Sequence, residues 1–358
     1  MVYVALQPRL VSNNIRLVTV PTAKPKIETV PWSAAPALSL PQPQDIPQVI
    51  DLLRSDFVDA RQLLSQNLSS DTVSTWWPSL GKRVALSTES VINYTPLPEA
   101  RAEAIAPKMG YIRLHTLGDA SMKTFLKAWS EWQKTGCNGL ILDLREFQDR
   151  NNFESATDMA SLFTNPNKIL FSLQGLKVPQ KVFQTRRQPL SLTTAFPILV
   201  LINENTRGAG EALAYLLQQK ARALLVGQLT AGEMGTYEEK KLPTGNFFRY
   251  ATSEVVLPSG DNLLGKPLIP DVMVSWDAAE QSRIFRKELE KGAAGMIKEV
   301  AIAPRPNEAA LVRDEEWNEK AVDTEPEGVD KVLRAAVDII HGVWAFQESP
   351  SIAPEFRK

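Results

Sequence analysis

Apolar and polar positions alternate along this chain in two rhythms, short β-branched runs and longer stripes of helical period. Residues 197–203 (PILVLIN) form a continuous apolar run of the kind that makes a buried strand. Thr206, Gly208 and Gly210 follow as a tight turn. Ala212, Leu213, Leu216 and Leu217 then recur at helical spacing over 211–220. Residues 223–226 (ALLV) are a second short strand, and 230–235 (TAGEMG) a loop whose glycines admit close backbone approach. Strand, turn, helix, strand and Gly-rich loop together place the turn residues at the mouth of a sheet.

The same rhythms continue on either side. Residues 109–114 (MGYIRL) read as a strand, and 119–134 as a helix burying Phe125, Leu126 and Trp129, with Trp132 at its edge. Residues 136–145 (GCNGLILDLR) are expected to form a central strand, 158–163 a helix and 169–173 a strand. The basic run 177–187 is expected to be an exposed hairpin or loop. Residues 236–241 and 247–252 read as a hairpin. At the N-terminal side, Asp45 can cap a helix or helix pair over 45–67, with Val49, Ile50, Leu53, Phe57, Ala60, Leu63 and Leu64 on one face. Residues 83–86 are strand-like, and Trp76 with Trp77 are expected to be packing residues rather than a stacking platform. Residues 278–290 read as a charged helix, 291–327 as a polar linker and 329–340 as a final helix ending near His341.

Composition narrows the function classes. Among 358 residues, 40 Lys and Arg oppose 41 Asp and Glu, so nothing points to a nucleic-acid groove or an anionic membrane. The one cysteine, Cys137, excludes an intramolecular disulfide, and two histidines, His115 and His341, leave little material for a zinc site or a Ser-His-Asp triad. No apolar run approaches the roughly 18 residues of a membrane span. Residues 1–44 lack the charged start and unbroken apolar stretch of a secretory signal, and their prolines imply an extended arm with short strands at 2–6 and 15–20.

The turn segment Thr206-Arg-Gly-Ala-Gly-Glu211, the dipeptide Arg222-Ala223 and the loop Gly227-Gln-Leu-Thr-Ala-Gly-Glu-Met-Gly235 resemble the core of the tail-specific, or C-terminal processing, serine proteases. The family pattern is Thr-Ala-Ser-Ala-Ser-Glu opening a helix, then Arg-Ala, then Gly-Glu-x-Thr-x-Gly-Lys-Gly. Residues 109–114 and 139–145 are similar to the family's Gly-Tyr-Ile-Arg-Leu and Gly-Leu-Ile-Leu-Asp-Leu-Arg strands. Residues 255–260 and 264–274 are similar to its closing segments, and the final helix to its Asp-x-x-Leu-x-x-Ala. The resemblance runs from about 109 to 274. It implies an α/β fold with a ClpP/crotonase-like core of βαβ units, flanked by an N-terminal helical and extended arm and a C-terminal helix. The domain plan is an arm at 1–44, a helical region at 45–108, the core at 109–276 and a charged helix, linker and returning helix at 277–358. No PDZ-like carboxylate-binding loop is recognisable before the core.

At four places the expected chemistry departs from that pattern. The family's nucleophilic serine falls on Gly208, its general-base lysine on Glu233, and a residue supporting the dyad in part of the family on Gln219. Nucleophilic catalysis needs a hydroxyl or thiol with a base in reach, and Gly208 has no side chain. The family's Asn-x-Gly-Gly turn, whose amides help form the oxyanion hole, is replaced by Glu146-Phe-Gln-Asp-Arg-Asn-Asn152, with no glycine.

The leading expectation is a peptidase homologue without hydrolytic activity that binds protein or peptide segments or serves as a scaffold, with Thr206, Ala209, Gly210 and Gly232 lining the binding groove. Two alternatives stand beside it. One is an active peptidase with a relocated nucleophile such as Thr206, although that residue is expected to cap the turn or helix, with Glu211 a first-turn carboxylate favoured by the helix dipole. The other is a structural subunit of a homo-oligomer. A crotonase-like pair of carboxylates, Glu146 and Glu233, is a lesser candidate. No cofactor or metal is expected, and the resemblance implies an extracytoplasmic place, the periplasm or cell envelope.

Overall fold

The computed structural model describes residues 40–90, 98–106, 108–193, 195–291 and 329–348. The strands expected at 2–6 and 15–20 and nearly all of the expected linker at 291–327 lie outside those residues. In chain order the helices are α1 (Ile46–Ser55), α2 (Ala60–Leu63), α3 (Val73–Trp76), α4 (Asp119–Lys134), α5 (Phe153–Ser161), α6 (Ala209–Ala221), α7 (Ala278–Lys291) and α8 (Lys331–Glu348). The strands are β1 (Val84–Ser87), β2 (Ala100–Ala106), β3 (Met109–Leu114), β4 (Gly139–Asp143), β5 (Ile169–Gly175) and β6 (Lys181–Gln184). They continue as β7 (Ile198–Ile202), β8 (Leu224–Gly227), β9 (Tyr237–Lys241), β10 (Phe247–Ala251), β11 (Ser253–Val256) and β12 (Val272–Met273).

A six-stranded mixed sheet of order β12-β8-β7-β4-β3-β2 forms the centre, parallel except for β2, which pairs antiparallel with β3. Every residue of β4 and β7 is buried, as parallel strands covered on both faces require. Alternate side chains feed two cores. Leu140, Leu142, Val200 and Ile202 meet α4, α5 and α6 on one face, while Ile141, Leu199 and Leu201 meet Ile284 of α7 and Leu333, Ala336 and Ile340 of α8 on the other. The α/β core of βαβ units is therefore present. Two smaller three-stranded sheets, β1-β10-β9 and β11-β5-β6, flank it.

A buried ionic knot ties the last two helices to the ends of β3 and β4. Asp143, fully buried, accepts from Arg113 (2.7 Å), Arg145 (2.7 Å) and the Tyr111 hydroxyl (2.8 Å). Arg145 continues to Asp330, just before α8, at 2.7 Å, and Arg113 to Glu288 of α7 at 2.8 Å. Burial alone would raise the Asp143 pKa, but the two guanidinium groups hold its carboxyl far below the usual range. The arginines also lie over the Phe285 ring, at 4.6 and 4.9 Å.

Several local expectations are corrected. Leu126 on α4 is partly exposed, whereas Trp132 is buried because its ring covers Gly110, where an added Cβ would lie 2.6 Å from it. Asp45 does not cap α1; its carboxylate accepts from the Thr244 amide (3.1 Å) and hydroxyl (2.6 Å), joining the helix to the β9–β10 turn. Leu64 is 70% exposed, since it lies just past the end of α2, whereas Phe57, Ala60 and Leu63 of the expected face are buried. The α5 helix begins at Phe153, five residues before the expected start, because the Asn152 side chain caps it by accepting from the Ser155 amide. The basic run is not wholly exposed: Phe183 of β6 is buried in a stack on Phe171, 4.8 Å between ring centroids. His341 lies inside α8 rather than at its end, beside Trp344, whose Nε1 donates to the Asn138 carbonyl. Trp76 and Trp77 are packing residues as expected, Trp77 lying against Phe248 of β10.

Candidate functional site

The β7–α6 turn, the loop from 230 to 235 and the loop from 146 to 152 converge at the C-terminal edge of the central strands, where ligands collect in open α/β sheets. Gly208 precedes the first turn of α6 with φ +52° and ψ −114°, a conformation side chains avoid. Directly against it lies the Arg150 carbonyl. The Ala209 amide, one of the orphan donors of the helix start, donates to that oxygen at 2.8 Å. A Cβ built on Gly208 would sit 2.2 Å from the same oxygen. Two residues on, Gly210 carries the Phe147 ring, which a Cβ would meet at 2.6 Å. The 146–152 loop is thus seated on the start of α6 through two glycines.

That loop turns the Arg150 carbonyl toward the start of α6. Three of its amides have partners within or beside the loop: Gln148 donates to the His115 carbonyl, and Asn151 and Asn152 to the Asp149 carboxylate. Without glycine it stays in ordinary backbone space. Among the described residues, the non-glycine positions of positive φ are Lys108, Asn167 and Arg222.

Glu211 locks the other side. Its fully buried carboxylate accepts from the Gly208 amide (3.1 Å), the Thr230 hydroxyl (2.5 Å), the Gly232 amide (2.6 Å) and the Glu233 amide (2.7 Å). Burial pushes its pKa up to about 7 against the lowering effect of these donors. The expectation of a first-turn carboxylate holds, yet its work is to pin the 230–233 loop to the helix start.

Glu233, at the expected base position, is an ion-pair member. Its carboxylate bonds Arg249 at 2.7 Å and Arg207 at 3.1 Å. Burial would raise its pKa, but Arg249 and Arg207 more than offset this and keep it below the ordinary range. Lys82, from the segment before β1, donates to the Ala231 carbonyl at 2.8 Å. Burial lowers the lysine's pKa, opposed by Glu211 and Glu233.

Thr206, Ala209, Gly210 and Gly232, the expected groove residues, all lie beneath this surface and are buried. Thr206 caps the turn as expected: its hydroxyl donates to the Leu144 carbonyl at 2.9 Å and accepts from the Asn203 amide. Gly232 packs on Pro267, and Gln219 is exposed further along α6. Glu146 bonds the Asn205 side chain while Glu233 bonds two arginines, so the two carboxylates have separate partner sets. The cations around Glu233 were not legible in sequence: Lys82 and Arg249 arrive from distant elements, and only Arg207 adjoins a motif.

Residues 108–274 match the profile of peptidase family S41. A carboxyl-terminal-processing protease of Picosynechococcus sp. is 26% identical over 192 residues, covering 54% of this chain and 45% of that protein. The chloroplastic C-terminal processing peptidase of Tetradesmus obliquus is 24% identical over 208 residues, covering 55% and 44%. The carboxy-terminal processing protease CtpA of Bacillus subtilis is 23% identical over 177 residues, covering 49% and 37%. The matches thus span less than half the length of these relatives. Among solved structures, the photosystem II D1 C-terminal processing protease aligns with a TM-score of 0.38 at 22% identity, covering 54% of this chain and 48% of that one. A putative S41 protease from Bacteroides fragilis aligns with a TM-score of 0.45 at 18% identity, covering 68% and 57%.

Proposed function

We propose that this chain, whose residues 108–274 form a peptidase S41 domain, is a non-hydrolytic homologue of the C-terminal processing peptidases that binds protein segments as a scaffold. The observation that carries the reading is the Arg150 carbonyl against Gly208: the nucleophile position has no side chain, and its space is filled by the chain's own backbone. The ion pairing of Glu233 supports it, since a carboxylate held by two arginines is a poor proton acceptor. Thr206 is a poor relocated nucleophile, because its hydroxyl is buried and donates to a main-chain carbonyl with no base among its hydrogen-bond partners. An extracytoplasmic place is proposed on the family resemblance. Among the described residues, no helix is long and apolar enough to cross a membrane.

The test is turnover of an unfolded model protein and a library of C-terminal peptides by the purified chain, alongside labelling with a hydroxyl-reactive phosphonate. Neither cleavage nor labelling is expected, while a subset of an immobilised peptide array is retained. Cleavage abolished by one point change in the core, or a phosphonate adduct on a core residue, would overturn the proposal.

A further inference from the structure

We infer that the folded chain keeps Glu288 of α7 protonated, its carboxylic acid donating to the Tyr111 hydroxyl, and that this proton is a latch whose loss loosens α7 from the sheet.

The charges of the buried knot do not balance when every group is ionised. Three carboxylates, Asp143, Glu288 and Asp330, share the cluster with two guanidinium groups, Arg113 and Arg145. An uncompensated negative charge out of water is costly, and a buried group in that position takes up a proton instead. The neighbouring elements bring matched pairs. Arg101 of β2, whose Nη1 donates to the Glu288 carbonyl at 2.8 Å, pairs with Glu103, and Lys331 of α8 pairs with Glu280 of α7. Burial and Arg113 favour the neutral form of His115, and burial that of Glu146.

Its hydrogens fall short as well. The Tyr111 hydroxyl lies 2.8 Å from Asp143 Oδ2 and 3.0 Å from Glu288 Oε1, yet it has one hydrogen to give. Two such oxygen–oxygen contacts need two hydrogens, and the second must come from a carboxyl group. Asp143 already accepts from Arg113 and from both the side chain and the amide of Arg145. Asp330 accepts from two Arg145 nitrogens and the Leu333 amide. Donors in that number hold both aspartates ionised. Glu288 is the poorest supplied of the three, since its Oε2 lies 2.8 Å from Arg113 Nη2 but accepts no hydrogen bond. The proton therefore rests on Glu288 Oε1, which donates to the Tyr111 oxygen while Tyr111 donates to Asp143. The two remaining carboxylates then match the two guanidinium groups. Burial above all, with Asp330 and Asp143 assisting, raises the Glu288 pKa against the opposing pull of Arg113.

Releasing the proton to solvent leaves Glu288 and Asp143 as facing carboxylates with one hydroxyl hydrogen between them. The repulsion bears on α7, because Asp143 is fixed at the end of a fully buried central strand. The same helix reaches the candidate site. Its Gln281 accepts from the Asn203 side chain at 2.9 Å, and Asn203 in turn holds the Asn205 amide at 2.9 Å in the turn before Gly208. A proton on Glu288 thus steadies that turn through α7.

The experiment follows hydrogen exchange of α7 in the full chain across pH, corrected for intrinsic exchange, in wild type and in Glu288→Gln, whose neutral amide imitates the protonated acid. A glutamate in the opened chain titrates at about 4.3, below its folded value, so protection is greatest under that pH and is lost as pH rises through the folded pKa. Relative to Glu288→Gln, wild-type protection is expected to fall by up to about tenfold per pH unit above about 4.3, then level off once the folded chain has lost the proton. Infrared spectra with isotope-labelled glutamate, at a pH where exposed glutamates are ionised, are expected to show a protonated-carboxyl band in wild type that Glu288→Gln diminishes. A constant ratio of protection between the two chains over that range, or a band absent from wild type or undiminished by the substitution, overturns the inference. So does a Glu288→Gln chain that unfolds or exposes α7 at the acid end, since an amide can replace a protonated acid beside Arg113 but not an ionised one.

Discussion

Replacing Gly208 by alanine or serine should destabilise the fold and create no enzyme. The new Cβ must accept φ +52° with ψ −114°, and it arrives 2.2 Å from the Arg150 oxygen and 3.0 Å from the Arg150 carbonyl carbon. Those atoms are backbone, so rotating a side chain cannot relieve the clash. The dihedral strain costs about 1–3 kcal/mol. Pushing the loop away also breaks the Ala209 to Arg150 hydrogen bond, a further loss of about 0.5–1.5 kcal/mol. Together these give a loss of about 2–4 kcal/mol, or a melting point lower by roughly 3–5 °C for a chain of this length. Gly210→Ala is the companion change. Its Cβ meets the edge of the Phe147 ring, a side chain that can swing aside, so it should cost about 1 kcal/mol and rank below Gly208→Ala. Urea unfolding of both chains against wild type measures the order. A Gly208→Ala chain within about 0.5 kcal/mol of wild type would refute the reasoning, because neither the strained turn nor the facing carbonyl could then exist as described.

Restoring the expected dyad by Gly208→Ser with Glu233→Lys should yield no turnover of a C-terminal peptide, since the serine displaces a seated loop and the lysine faces Arg207 and Arg249; measurable cleavage would mean the site is still organised for catalysis. Glu211 holds its proton more tightly folded, with a pKa of about 7, than unfolded, where a glutamate titrates at about 4.3. Its contribution is therefore fully present below about pH 4.3 and is lost as the pH rises through 7, a decline of about 2–4 kcal/mol in wild type relative to Glu211→Gln; a difference in unfolding free energy that rises or stays flat over that window refutes it. Asp143→Ala leaves Arg113 and Arg145 buried without their shared carboxylate and should cost about 3–5 kcal/mol by chemical denaturation, whereas Lys134→Ala, at an exposed pair, should change stability by less than about 0.5 kcal/mol.

The sequence by itself determined the central strands and the helices between them, because a buried parallel strand must be apolar along its length and an amphipathic helix must repeat its apolar positions every turn. Residues 119–134 and the strand at 109–114 could be read with their full bounds. It also put glycine at 208 and glutamate at 233, where the family resemblance leads one to expect a serine and a lysine. Tertiary structure alone decided what stands in their place. The Arg150 carbonyl on Gly208, the Phe147 ring on Gly210 and the pairing of Glu233 with Arg249 depend on loops brought together across 16 to 63 positions of chain, and neither periodicity nor spacing encodes such meetings. The same holds for the buried knot of Asp143, Arg145, Glu288 and Asp330, whose members look like ordinary surface charges in sequence. Burial removes their competing water, and only the packed chain shows which opposite charge replaces it.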